Sequence, residues 1–222
     1  MKYKTLIREA ILLIISIIPI LILWQIWNLL PTEIPLHYNF KGEADSFGHK
    51  QTLLWFLPLT ILGIYVLLLI IPFIDPKKRI VHAGSSFYSI RLIVSMFLSA
   101  VFIGYLLELK NGSGFSDFIS IIILAFIIIF GNYMPRLKPN YFVGIRTPWT
   151  LEHPEVWSKT HRFSGRLWMI VGIILLIIYA IFYNRLTPAL AIIAIISLAF
   201  ISVIYSFIAY KKLNVKMGTG NE

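Results

Sequence analysis

Ala10 to Leu30 reads AILLIISIIPILILWQIWNLL, twenty-one residues without a single charge. About 20 apolar residues span the hydrocarbon core of a bilayer as a helix, so this run alone places the chain in a membrane. It exceeds the roughly 7–15-residue apolar core of a secretory signal, and no small-residue cleavage site follows Trp24–Leu30, so it reads as a retained first helix. Working outward, five further runs of near-spanning length follow at 51–74, 88–109, 116–135, 166–183 and 188–210. Composition agrees, with 58% hydrophobic residues against 14% charged, a balance that fits a polytopic membrane protein. The expected fold is all-α: six transmembrane helices plus a short cytoplasmic amphipathic helix.

The basic residues set the expected orientation, because positively charged loops are retained on the cytoplasmic side. An N-terminus placed inside puts 16 of the 20 Lys and Arg residues on the cytoplasmic side and leaves only Lys41, Lys50, Lys110 and Arg185 outside. Both termini are therefore expected in the cytoplasm of a multi-pass cell-membrane protein. Topology accounts for the net charge of +10, so direct nucleic-acid binding is not expected; membrane lipids are the expected surroundings. The chain has no cysteine, which excludes disulfides, thiolate catalysis and thiolate metal sites.

The connections at 110–115 and 184–187 are tight turns rich in Asn, Gly, Ser and Pro, whereas two others are long and polar. The outer one is LPTEIPLHYNFKGEADSFGHK, Leu30 to Lys50. Pro31 and Pro35 keep the chain extended and Gly42 and Gly48 allow turns, so an irregular loop is expected. His37, Glu43, Asp45 and His49 are metal-ligand types, but their spacing matches no recognised site; no metal or other cofactor is expected. A recognition surface is the better reading. Its candidate residues are His37, Tyr38, Asn39, Phe40, Asp45 and Phe47, with the aromatic rings as apolar anchors.

The inner connection contains VGIRTPWTLEHPEVWSKTHRFSG, Val143 to Gly165. Pro148 disfavours helix at Thr147, and Thr150 is placed to cap an amphipathic helix from about Glu152 to Phe163 that lies on the membrane surface before the fifth span. Arg146 is expected as a buried or half-buried hub, its guanidinium satisfying carbonyls where the backbone is irregular. No serine–histidine–acid spacing, HExxH, glycine-rich phosphate loop or paired intramembrane carboxylates occur, so no catalytic residue is named. A rival from another class is a membrane enzyme or transporter for a lipid-linked or phosphate-bearing ligand, using Arg146, His153, His161 and Arg162.

The segment GNYMPRLKPNYFVGIRTPWTLEHPEVWSKTHRFSGRLW, Gly131 to Trp168, resembles the signature of the SdpI family of membrane immunity proteins. Asn132, Asn140, Arg146, Thr147, Pro148, Trp149, Thr150, Trp157, His161 and Arg162 are its candidate binding or motif residues. The outer segment resembles the domain of unknown function that commonly precedes this signature, with its proline-rich core running to His37, Tyr38 and Asn39. The resemblance implies an integral membrane immunity protein that gives resistance to a secreted toxic peptide met at the outer face. It further implies signalling in which a transcriptional repressor is held at the cytoplasmic face. The corresponding organisation is a helical hairpin over 1–80 with extracytoplasmic loop 30–50, then a four-helix region over 81–222 with cytoplasmic loop 133–165.

Overall fold

The structure is a computed structural model and describes residues 2–39, 42–75, 85–112, 115–182 and 188–218. Among these, six helices are long and apolar enough to cross a membrane. In chain order the helices are α1 (Lys2–Ile26), α2 (Leu53–Ile74), α3 (Ser85–Asn111), α4 (Phe115–Tyr133), the short α5 (Pro148–Glu152), α6 (Pro154–Ile181) and α7 (Pro188–Gly218). Large apolar side chains such as Trp24, Phe73, Ile196 and Phe200 point outward. On a soluble protein that would be a liability, and on a bundle in lipid it is the ordinary outer face.

Without a hydrophobic drive between helices, membrane bundles depend on close backbone approach and on polar contacts. Glycines supply the approach between α4 and α6. A Cβ at Gly165 would lie 2.6 Å from the Gly131 carbonyl oxygen, one at Gly131 2.8 Å from the Met169 amide, and one at Gly172 2.7 Å from Ile128. Polar contacts join α1, α2 and α3. The Arg91 guanidinium donates to both Glu9 carboxylate oxygens at 2.6 and 2.7 Å, and the Tyr65 hydroxyl donates to one of them at 3.2 Å. Ser99 adds a hydrogen bond to the Ile15 carbonyl at 2.8 Å.

Helix α3 runs from one end of the bundle to the other. Near its start, the Ser86 carbonyl accepts from the Tyr133 hydroxyl at 2.7 Å, and near its finish the Tyr105 hydroxyl donates to Pro35. The connection after α1 and the connection after α4 therefore lie at opposite ends, called here the hairpin end and the loop end.

The connection after α1, expected as an irregular loop, is not irregular. It folds into a two-stranded antiparallel hairpin, β1 (Glu33–Tyr38) and β2 (Ala44–His49), with Ile34 opposite Gly48 and Tyr38 opposite Ala44. The register breaks between Pro35 and His37 and again between His37 and Tyr38, consistent with a proline that cannot donate to the ladder. Ile34, fully buried, plugs the hairpin into a cluster formed by Leu23, Leu30, Leu53, Leu57 and Leu106.

The fifth span starts at Pro154 rather than at 166. The amphipathic segment exists, but it forms the first turns of α6 instead of a separate surface helix. At 1.5 Å per residue, the 28 residues of α6 reach about 42 Å, more than the roughly 30 Å hydrocarbon core. Its polar opening turns therefore project beyond the core. The first cap also moves: Pro148 holds Thr147 extended at φ −108° and ψ 160°, so Thr147, not Thr150, is the N-cap, and it caps α5.

Candidate functional site

At the loop end, the chain between α4 and α5 has almost no regular structure, so its backbone groups need other partners. Asn140 supplies four of them. Its Nδ2 donates to the Lys138 and Val143 carbonyls at 2.9 and 3.0 Å, and its Oδ1 accepts from the Phe142 and Val143 amides at 2.9 and 2.7 Å. Gly144 follows with φ +117°, in the left-handed region that favours glycine. A Cβ there would also sit 2.5 Å from His161 Nε2 and 3.2 Å from the Trp157 ring.

That close approach lets His161 hold the loop. The Ile145 amide donates to His161 Nε2 at 3.1 Å, while Nδ1 lies 2.8 Å from the Trp157 carbonyl. An amide can only donate and a carbonyl can only accept, so the ring carries its proton on Nδ1 and is neutral. Trp157 stacks on the imidazole with centroids 4.0 Å apart, and its indole N–H donates to the Leu137 carbonyl at 2.7 Å. Both rings are buried.

The RTPWT segment is fastened to α7. Thr150 Oγ1 accepts from the Thr147 amide at 2.8 Å and donates to the Ile145 carbonyl at 2.9 Å. The Trp149 indole donates to Ser206 Oγ at 2.7 Å, its ring packing against Phe207 and Tyr210. His153 rests on Tyr210.

Three sequence candidates stand apart from this lock. Asn132 and Arg162 are exposed. Arg146 is exposed too, bonded to the Tyr141 carbonyl, so the hub expected there is a correction. The hub is Asn140, because this stretch leaves amides and carbonyls unpaired together and a guanidinium can only donate. Arg146, His153, His161 and Arg162 bond no common group: they engage Tyr141, Tyr210, Ile145 with Trp157, and Ser158 respectively.

At the hairpin end, Asn39 and Glu43 close the turn through paired backbone and side-chain bonds, with Gly42 at φ +83°. Phe40, a candidate anchor, lies outside the described residues. His37 Nδ1 and Asp45 Oδ1 meet at 2.6 Å across the strands, whereas His49 faces Glu33 at the far end of the ladder. The four residues weighed as metal ligands are thus spread along the hairpin. Phe47 is exposed. Tyr38 instead turns inward, and its phenol pKa is pushed up to about 12 by burial first and by the Glu108 charge second. It borders a cavity of about 280 Å³ between hairpin and bundle, lined also by Leu36, Leu53, Phe56, Phe102 and Tyr105. Lys50 caps the first span by donating to the Trp27 and Leu30 carbonyls at 3.0 and 3.1 Å.

Residues 136–206 match the SdpI/YfhL protein family, and residues 14–62 match a domain of unknown function, DUF1648. The chain is thus similar to the SdpI family over the segment that follows the fourth span. It is 29% identical over 209 residues to Immunity protein SdpI of Bacillus subtilis (strain 168), covering 93% of this chain and 96% of that one. No solved structure matches it. The SdpI-family segment runs from the loop to Ser206 and so contains both sides of the Trp149–Ser206 contact, while the other segment contains the whole hairpin.

Sequence reasoning missed Ser202 and Ser206, which receive the Trp168 and Trp149 indoles, and it missed the Glu9–Arg91 pair. Two serines at i and i+4 in an apolar run were the available signal, since that spacing puts them on one helix face.

Proposed function

We propose that this chain is an integral membrane immunity protein that confers resistance to a secreted toxic peptide. The observation that carries this reading is the end-to-end similarity to Immunity protein SdpI, which takes in both the hairpin and the locked loop. In this reading the hairpin end faces outward and the loop end faces the cytoplasm, as the 16-to-4 distribution of basic residues favours. The toxin meets the hairpin at exposed Phe47 and the cavity beside Tyr38, where an apolar peptide side chain finds a pocket and the strand edges offer backbone partners. On the cytoplasmic face a transcriptional repressor docks against the loop near Arg146, which is the signalling half of the proposal.

Expression in a sensitive bacterium lacking immunity proteins tests the first half. Tolerance to a membrane-active peptide toxin should rise with the parent chain. It should fall at equal membrane abundance when Tyr38 and Phe47 become Ala, because aromatic anchors carry a disproportionate share of binding energy. No gain in tolerance from the parent chain, or full protection by the hairpin variant, would overturn the respective claim. Co-purification of a repressor with the parent but not with Arg146→Ala tests the second half.

A further inference from the structure

A groove of about 430 Å³ opens between α6 and α7 at the loop end, away from the lock. Arg162 and Arg166 stand one turn apart at its mouth, both exposed. Among the described residues neither has a carboxylate within salt-bridge distance, whereas the neighbouring Lys159 is held by Glu155 at 2.5 Å. One wall is the stacked pair Phe163 and Tyr205, their rings 3.8 Å apart and 9° from parallel. Deeper along the helix the lining becomes Leu167 and Ile170, and Ile170 is exposed.

We propose that this groove is a binding site for an anionic phospholipid, with the lipid phosphate held by Arg162 and Arg166 and an acyl chain lying along Leu167 and Ile170. The order of chemistry along α6 matches that of a lipid: guanidinium forks suited to phosphate oxygens come first, then hydrocarbon surface. The depth matches as well. Helix α6 outreaches the hydrocarbon core, so its polar opening turns lie at headgroup level and Ile170 lies below them. A free phosphate would satisfy the arginines equally but would leave the apolar floor unused, which is why the lipid is the assigned occupant. The site is independent of toxin recognition, since it shares no residue with the hairpin.

Native mass spectrometry of the full chain in detergent, titrated with phosphatidylglycerol or phosphatidylcholine, tests the proposal. Phosphatidylglycerol should be retained in preference, and each Arg→Gln change should weaken it about fivefold, so Arg162→Gln/Arg166→Gln should lose about twenty-five-fold. Arg136→Gln/Lys138→Gln removes the same charge elsewhere on the loop end and should leave the preference intact; an equal loss there would reduce the effect to general surface charge and overturn the site. Equal retention of the two lipids by the parent would overturn it without reference to any variant. Displacement by inorganic phosphate at the lipid's own concentration would reassign the site to a free anion. Displacement by an acidic peptide at that concentration would likewise reject the lipid, in favour of a protein partner.

Discussion

Removing the His161 imidazole should release the loop while leaving the bundle assembled. In His161→Ala the Ile145 amide loses its acceptor in a half-buried site, at a cost of about 1–3 kcal/mol. The stacked Trp157 ring loses a partner worth about 0.5–1.5 kcal/mol, and the bond to the Trp157 carbonyl adds about 1 kcal/mol. The sum is about 2.5–5.5 kcal/mol, borne locally around Ile145 and Arg146, since Leu137, Phe142 and Val143 stay packed against the core. Tryptic cleavage after exposed Arg146 reads this opening directly, since proteolysis follows the population of the open state when reclosing is fast. At about 1.4 kcal/mol per tenfold, even 2.5 kcal/mol predicts cleavage faster by nearly two orders of magnitude, about sixtyfold. His161→Gln, which can still offer an acceptor but not a stacked ring, should fall between the two.

The same geometry predicts non-additivity. Gly144→Ala places a Cβ where His161 Nε2 now lies 2.5 Å away and forces a side chain onto φ +117°, so alone it should cost about 2–4 kcal/mol. In the double variant the clash with the imidazole is gone, and only the backbone strain and the Trp157 contact remain. The double variant should therefore be more stable than the sum of the singles by at least about 1 kcal/mol, the size expected of residues in contact. Cleavage of His161→Ala at the parent rate, or strict additivity with Gly144→Ala, would refute the lock.

Asn140→Ala removes four partners at once and should open the same loop by about 2–4 kcal/mol, whereas Asn140→Asp keeps the acceptors and loses only the two donors; the Arg146 cleavage rate measures both. Arg91→Met should destabilise the bundle by about 3 kcal/mol in micelle unfolding, because it strands a carboxylate between helices, and adding Glu9→Gln should restore part of that loss. Tyr38 gives a pH dependence. Its pKa is raised in the folded state, so its contribution to stability is complete below about pH 10 and is lost as pH rises through about 12. Phenolate absorbance should show a late-titrating step that Tyr38→Phe removes, and a parent titration complete well below that pH would contradict the burial.

The spans were legible because bilayer thickness imposes a length, and a run such as Ala10–Leu30 has no soluble use. The start of α6 was not, because residues 154–165 bury Trp157, Thr160, His161 and Ser164 against protein, and polar buried residues look like loop to a hydropathy reading. The hairpin was hidden for a different reason. EIPLHY contains a proline and ADSFGH a glycine and an aspartate, all poor strand residues; what makes them strands is the docking of Ile34 and the Asn39–Glu43 turn. For Arg146 the residue's chemistry was read correctly but its role was assigned without knowing what the backbone lacked. The close approaches at Gly131, Gly165 and Gly172 were visible only as composition, since the sequence does not say which helix lies opposite.

The division within the motif bears on what this chain can do. Asn140, Thr147, Thr150, Trp157 and His161 form bonds within the chain, and His161 in particular has its proton given to one carbonyl and its lone pair taken by one amide. A base in that state can accept a proton only by releasing Ile145, which is the event that opens the loop. The histidine is thus committed to shape, and a partner approaching the closed loop end meets Asn132, Arg146 and Arg162 instead. Cationic side chains on a rigid loop discriminate by charge and position rather than by chemistry, which suits docking of an acidic protein surface or a lipid phosphate. The distinction is measurable by hydrogen exchange at the Ile145 amide, which needs no tryptic site: Arg146→Ala should leave the loop closed to within about 0.5 kcal/mol, as expected for an exposed side chain, yet weaken any partner held there. If Arg146→Ala instead opened the loop as His161→Ala does, the separation of shape from recognition in this motif would fail.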